Sequence, residues 1–211
     1  MKKFGFLLLL FSVVMVSSLA QAQTYQLGAD VALKVQYFRF MDRDIQDTNA
    51  ENGVFIGIEA YKQLFIPNLY FGIETGWAGT SGSFGSSSFD INVDSDVTYV
   101  PIEFNAKYVV PLSRCFNLSL GGGISYNYFN LDSTLTSNFV GNFRTSASAD
   151  DWVFGGQFFA GLDYRFNNLF AGVGVKYQLT EDLTLHSGGF SLPTNTSADN
   201  LRIGMQLGLM F

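Results

Sequence analysis

"NLRIGMQLGLMF", residues 200–211, is the stretch on which the reading of the fold turns. Leu201, Ile203, Met205, Leu207, Leu209 and Phe211 fall at every second position. Successive side chains of a strand point to opposite faces, so these six share one face. Asn200, Arg202, Gly204, Gln206, Gly208 and Met210 share the other. The C-terminal residues of a soluble domain usually fray and are polar. Here strand periodicity runs to a large aromatic, which predicts a strand whose apolar face meets something other than water.

The same alternation recurs at about residues 25–37, 53–61, 69–78, 97–110, 116–128, 152–164 and 169–179. Each stretch is about ten residues or longer, the length of a tilted membrane-crossing strand. In 25–37, Leu27, Val31, Leu33 and Val35 oppose Gln26, Asp30, Lys34 and Gln36. In 169–179, Ala171, Val173, Val175 and Tyr177 oppose Gly172, Gly174, Lys176 and Gln178. Short connections carry turn residues at Pro67-Asn68, after Pro111 and at Asn167-Asn168. Long polar connections are expected at 39–52, 79–96, 130–150 and 180–198. Long and short alternate in strict order. That order predicts an all-β fold, an eight-stranded antiparallel up-and-down transmembrane β-barrel, with short turns on the periplasmic side and four long loops outside.

Composition agrees. Charged residues are 14% of the chain and aromatic residues 16%, against about 25% charged in ordinary domains. No apolar run reaches the roughly 18 residues that a membrane helix needs. The single apolar run, residues 4–16, follows Lys2-Lys3 and precedes Ala20-Gln21-Ala22. This is the pattern of a cleaved signal peptide over residues 1–22, leaving a barrel domain over 23–211. Losing Lys2 and Lys3 makes the net charge more negative than the −6 of the whole chain, which excludes a nucleic-acid binder. Cys115 is the one cysteine, so no internal disulfide forms.

A soluble lipid-binding barrel also alternates, with its apolar face inward. Three features exclude it. The polar face carries large charges and many glycines. Trp77, Tyr108, Tyr126, Tyr128, Trp152, Tyr164 and Tyr177 fall on the apolar face near strand ends, where interfacial girdles lie. The last residue is an apolar Phe.

On the signal peptide, "VPIEFNAKYVVPL" (residues 100–112), "LSLGGGISYNY" (118–128) and the terminal Phe, the chain resembles the small eight-stranded outer-membrane barrels, the OmpA/OmpX-like family. The resemblance implies a bacterial outer-membrane location and a last strand read by the barrel-assembly machinery. Met205, Leu207, Leu209 and Phe211 match that assembly signal, with Leu209 where the family often has Tyr. The implied partners are outer-membrane lipid and lipopolysaccharide, the assembly machinery during biogenesis, and a host or phage surface at the loops. The expected state is a monomer without a cofactor.

The inward face is expected to carry Lys34, Glu59, Glu74, Glu103, Lys107, Asp163, Arg165, Lys176 and Arg202. Converging carboxylates can act as an acid/base pair. An eight-stranded barrel is only wide enough for side chains to fill it, and buried charges must pair, so a charge network closing the lumen is the stronger reading. His186-Ser187, with Glu181 nearby, is the one trace of nucleophilic catalysis. Neighbours on a strand point apart, and no motif surrounds them. Asp90, Asp94 and Asp96 lack the glycine spacing of a calcium loop. The expectation is therefore a non-enzymatic barrel presenting surface loops for envelope integrity or surface contact. The alternatives are a lipid A deacylase-like enzyme on the same barrel and a narrow porin.

Overall fold

The computed structural model describes residues 28–46, 51–86, 91–137, 143–187 and 190–211. The expected signal peptide, 1–22, lies outside the described residues, as do Asp90 and the side chains of His186 and Ser187.

Strand β1 (Ala29–Phe40) alternates between exposed and buried along its length. It is followed by a one-turn helix, α1 (Arg43–Gln46), and by β2 (Asn52–Gln63), β3 (Leu69–Ser86), β4 (Ile91–Pro111), β5 (Phe116–Ser137), β6 (Phe143–Phe166) and β7 (Leu169–Thr180). Then come β8 (Asp182–Ser187), β9 (Phe190–Ser197) and β10 (Asn200–Met210). Strands β1 to β7 and β10 pair antiparallel with their neighbours, and β5 also pairs with β6. The ring closes where β1 pairs with β10, Leu33 opposite Leu207. Phe211 and Ala29 exchange two backbone hydrogen bonds there, at 2.8 and 3.2 Å. No helix among the described residues is long and apolar enough to cross a membrane; the barrel does so with strands.

The apolar face points outward. Leu33, Val35, Ile56, Ile58, Phe104, Ile124, Phe158 and Met205 are all exposed, whereas Lys34, Gln36, Glu59, Glu103 and Arg202 are buried. Trp77, Tyr126, Trp152, Tyr164 and Tyr177 lie on the outer face near the ends of the apolar band. Two of the short turns need left-handed residues and use asparagine, with φ 65° at Asn68 and 52° at Asn167.

The long connections differ from expectation. Much of 79–96 and 130–150 is strand, and β3 to β6 run to 18, 21, 22 and 24 residues against 12 for β1. The fourth connection folds into the β8–β9 hairpin. Within the lipid, alternation sets apolar against polar. Beyond it the outer face meets water, so Asp94, Asp96 and Asp132 are exposed while Val97, Tyr99 and Phe129 on the inner face are buried. An outward aspartate reads as loop when apolar residues are expected there.

Candidate functional site

The interior of the barrel holds the side chains with chemical potential. β2, β3 and β4 place Glu59, Glu74 and Glu103 directly opposite one another in register. Like charges opposed on neighbouring strands repel. The cations of the other wall settle the row. Lys34 of β1 reaches Glu59 at 2.5 Å and Glu74 at 2.7 Å. Lys176 of β7 reaches Glu74 at 2.7 Å and also pairs with Glu103. Arg202 of β10 pairs with Glu103 and stands 3.5 Å from Glu74. Lys107 extends the row to Asp30 at 3.0 Å, with Glu59 4.0 Å away. Asp30, Lys107, Glu59, Lys34, Glu74, Lys176, Glu103 and Arg202 thus alternate in sign along the interior. Asp30 is absent from the charge set drawn from sequence.

Room for these long side chains comes from the facing wall. β5, β6 and β7 line it with Ser119, Gly121, Gly123, Ser125, Gly155, Gly161, Gly172 and Gly174. At Gly123 an added Cβ would collide with the Phe104 carbonyl oxygen and with Asn105 Oδ1. Rings line the charges too: Lys107 Nζ lies 3.8 Å from the Tyr61 ring centre, and the Arg202 guanidinium 4.6 Å from that of Phe55.

Asp163 and Arg165 sit at the turn end, lining a cavity of about 50 Å3 with Asp30, Lys107, Asn68 and Asn117. Asp163 accepts a hydrogen bond from Gln206 Nε2 at 2.5 Å. The structure therefore brings seven of the nine expected charges into one alternating row and sets these two at its mouth.

Towards the loop end the charges give way to amides. Gln178 Oε1 accepts from Arg202 at 2.7 Å and from Tyr99 at 2.8 Å, and Gln178 Nε2 donates to Ser125 at 2.6 Å and to Asn127 at 2.8 Å. Above them lies an apolar core that sequence reasoning missed: Phe38, Phe40, Phe55, Tyr99 and Phe129, closed over by Ile45 of α1 and by Leu183 and Ala198 at the base of the hairpin. Phe38 and Phe40 meet edge to face at 4.6 Å. The signal was parity, because both share the face of Lys34 and Gln36. Three aspartates fasten the lining elements. Asp151 accepts from Trp152 N at 2.8 Å and Thr184 N at 2.6 Å. Asp42 accepts from Ser197 N at 3.0 Å, and Asp199 from Thr180 N at 2.7 Å.

Met205, Leu207 and Leu209 are exposed on the outer face of β10, and Phe211 is exposed one residue past its end. Among the described residues, no group of three or more His, Cys, Asp or Glu is placed to hold a metal ion.

The family model described as outer membrane protein beta-barrel domain matches residues 6–211. No curated protein matches the chain. Among solved structures it is similar to Neisserial surface protein A, at 13% identity over 87% of this chain and 97% of that one, TM-score 0.56. It is also similar to a major outer membrane protein from Thermus thermophilus, at 12% identity over 87% and 99%, TM-score 0.53. At these identities the likeness is one of fold.

Proposed function

The chain belongs to the outer membrane protein beta-barrel domain family, and from that premise we propose that it is a non-enzymatic barrel with a closed interior, presenting its loop end for envelope integrity or surface contact. The observation that carries this reading is the alternating row of eight charges capped by the aromatic core. Glu74, Glu103, Arg202, Phe38, Phe40, Phe55 and Tyr99 are each 0% exposed. Small eight-stranded barrels have interiors that side chains can fill, and the interior charges are already committed to one another. A general acid or base needs a free proton-transfer face and a place for substrate beside it. The carboxylates are paired with cations, and the cavity beside Glu59, Lys34 and Lys176, about 20 Å3, leaves no place for a substrate. Lipid and lipopolysaccharide meet the outer belt, the assembly machinery reads the last strand, and the protein acts as a monomer.

The test is conductance. Purified, refolded protein inserted into a planar bilayer should show no steady single-channel openings. Stable openings in the wild type would replace this reading with a narrow porin. In cells, a deletion strain should gain sensitivity to detergent or lose surface contacts, and the wild-type chain supplied in trans should restore either property.

A further inference from the structure

The turn between β2 and β3 is built unlike its two counterparts. The tip of the β4–β5 turn carries Ser113 and Arg114, and that of the β6–β7 turn Asn167 and Asn168. The β2–β3 tip carries Phe65 and Ile66, 99% and 54% exposed. Phe65 also holds φ at 59°. A bulky residue in the left-handed region is strained, and such strain persists where something outweighs it. Phe65 has no side-chain cover among the described residues to do so.

The height of the lipid belt supplies an occupant. We place the loop-side limit of the acyl belt at Trp77 and Tyr177, both exposed on the outer face, with Trp152 above it. From Trp77 back to Leu69, and from Tyr177 back to Leu169, each strand advances eight residue steps. At roughly 3.3 Å per residue and a tilt of roughly 40° that is about 20 Å along the barrel axis. The apolar band of such barrels is about 25 Å tall. The lipid boundary therefore reaches past the strand ends into the turns. Exposed Phe166, Leu169, Phe211 and Leu112 line the same level, so Phe65 and Ile66 continue an apolar belt already in contact with lipid.

We propose that Phe65 and Ile66 form a lipid-seated hook, docked at the boundary of head groups and acyl chains in the leaflet at the barrel's turn end. The left-handed turn leaves the Phe65 ring without protein cover among the described residues, and lipid contact offsets the backbone strain. This inference rests on the barrel and its belt and is independent of whether the interior conducts.

Depth-dependent quenching tests it. The mature chain, with Cys115→Ser and Phe65→Cys, is labelled with a small fluorophore and refolded into phosphatidylcholine vesicles. Arg114→Cys in the same background is the reference. Nitroxide on the acyl chains should quench the label at 65 at least about threefold more than at 114, and aqueous iodide should show the reverse order. Equal iodide quenching at both positions would overturn the proposal and leave the tip to a periplasmic protein. Shielding from both quenchers would overturn it as well, assigning the ring a protein cover at the cleft that Gly28 shares with Phe65 and Ile66. A second measurement has opposite signs under the two views. Asn tolerates left-handed φ, so Phe65→Asn raises the urea midpoint if the ring only carries strain. If the ring is seated in lipid, Phe65→Asn lowers the midpoint and Phe65→Leu restores most of it.

Discussion

Replacing Arg202 by methionine tests whether the interior charges act as one balanced row. Arg202 is fully buried. Its guanidinium pairs with Glu103, faces Glu74 at 3.5 Å and donates to Gln178 at 2.7 Å. Methionine keeps the apolar volume against Phe55 and removes the charge. Glu103 then retains Lys176 and the Asn105 amide at 3.2 Å, but four interior carboxylates face three cations. Breaking one member out of a buried pair typically costs about 3–5 kcal/mol. At about 1.36 kcal/mol per factor of ten, the ratio of folded to unfolded protein should fall by roughly 150- to 5,000-fold.

The decisive variant is the double one. Arg202→Met with Glu103→Gln restores three acids against three cations, and the glutamine oxygen still accepts from Lys176 and Asn105. It should be more stable than Arg202→Met alone, with a coupling of about 1–3 kcal/mol in the double-mutant cycle. The assay is urea unfolding of the refolded mature chain in lipid vesicles, followed by gel mobility of heated and unheated samples. Asp96→Ala is the control. Asp96 is exposed and stands opposite Asp132 in register, so its loss should move stability by no more than about 0.5 kcal/mol. Arg202→Met within about 0.5 kcal/mol of wild type, the scatter of surface changes, would refute the balanced row, and so would strictly additive costs.

Three other perturbations probe other parts of the molecule. Deleting Phe211 removes the residue that exchanges backbone bonds with Ala29 at the closing seam; folded yield in the outer membrane should fall and periplasmic protein accumulate, and an unchanged yield would show that the end is no assembly signal. Phe40→Ala empties the centre of the aromatic core, where Tyr99 and Phe129 rings lie at 5.9 and 5.8 Å, and should cost about 3–5 kcal/mol by urea unfolding, several times the cost of Leu33→Ala on the lipid face. Asp151→Ala frees the backbone donors of Trp152 and Thr184; protease added to intact cells should then cut within 182–197 faster than in wild type, and an unchanged rate would show that the hairpin is held by other contacts.

The parts of this fold that were legible in the sequence are those in which one physical environment maps onto one residue type. Lipid contact selects apolar residues at alternate positions, so Leu33, Ile58, Val173 and Leu207 marked the outer face and the strand count. The turns were legible for a different reason, since left-handed φ selects Asn at 68 and 167. Where the environment changes along a strand, the code changes with it. β4 passes from lipid at Phe104 to water at Asp96, and its outer face switches from apolar to acidic without leaving the strand. The inner face makes the opposite passage, from Lys34 and Gln36 to Phe38 and Phe40. Reading the second switch as the end of the strand hid the aromatic core.

Pairing is harder still, because it depends on register, and register is a property of two strands at once. Nothing local marks Glu59, Glu74 and Glu103 as one row. They lie on three strands, and each looks alone like an ordinary inward carboxylate. Their stacking follows only when β2, β3 and β4 are aligned, and it then dictates what the other wall must supply. Three opposed carboxylates buried in the interior are unstable unless cations interleave with them. Lys34, Lys176 and Arg202 do so from β1, β7 and β10, and β1 meets β10 only once the barrel has closed. The same charges that look like scattered candidates in sequence therefore make closure and charge balance one condition. A register slip of one residue on any of the three acidic strands would turn its glutamate out into lipid and leave a cation buried without its partner. The row thus has a role in addition to filling space: it selects one register of the barrel over its neighbours, and the Arg202 and Glu103 variants should reveal that role as misassembled, protease-sensitive protein alongside any loss of stability.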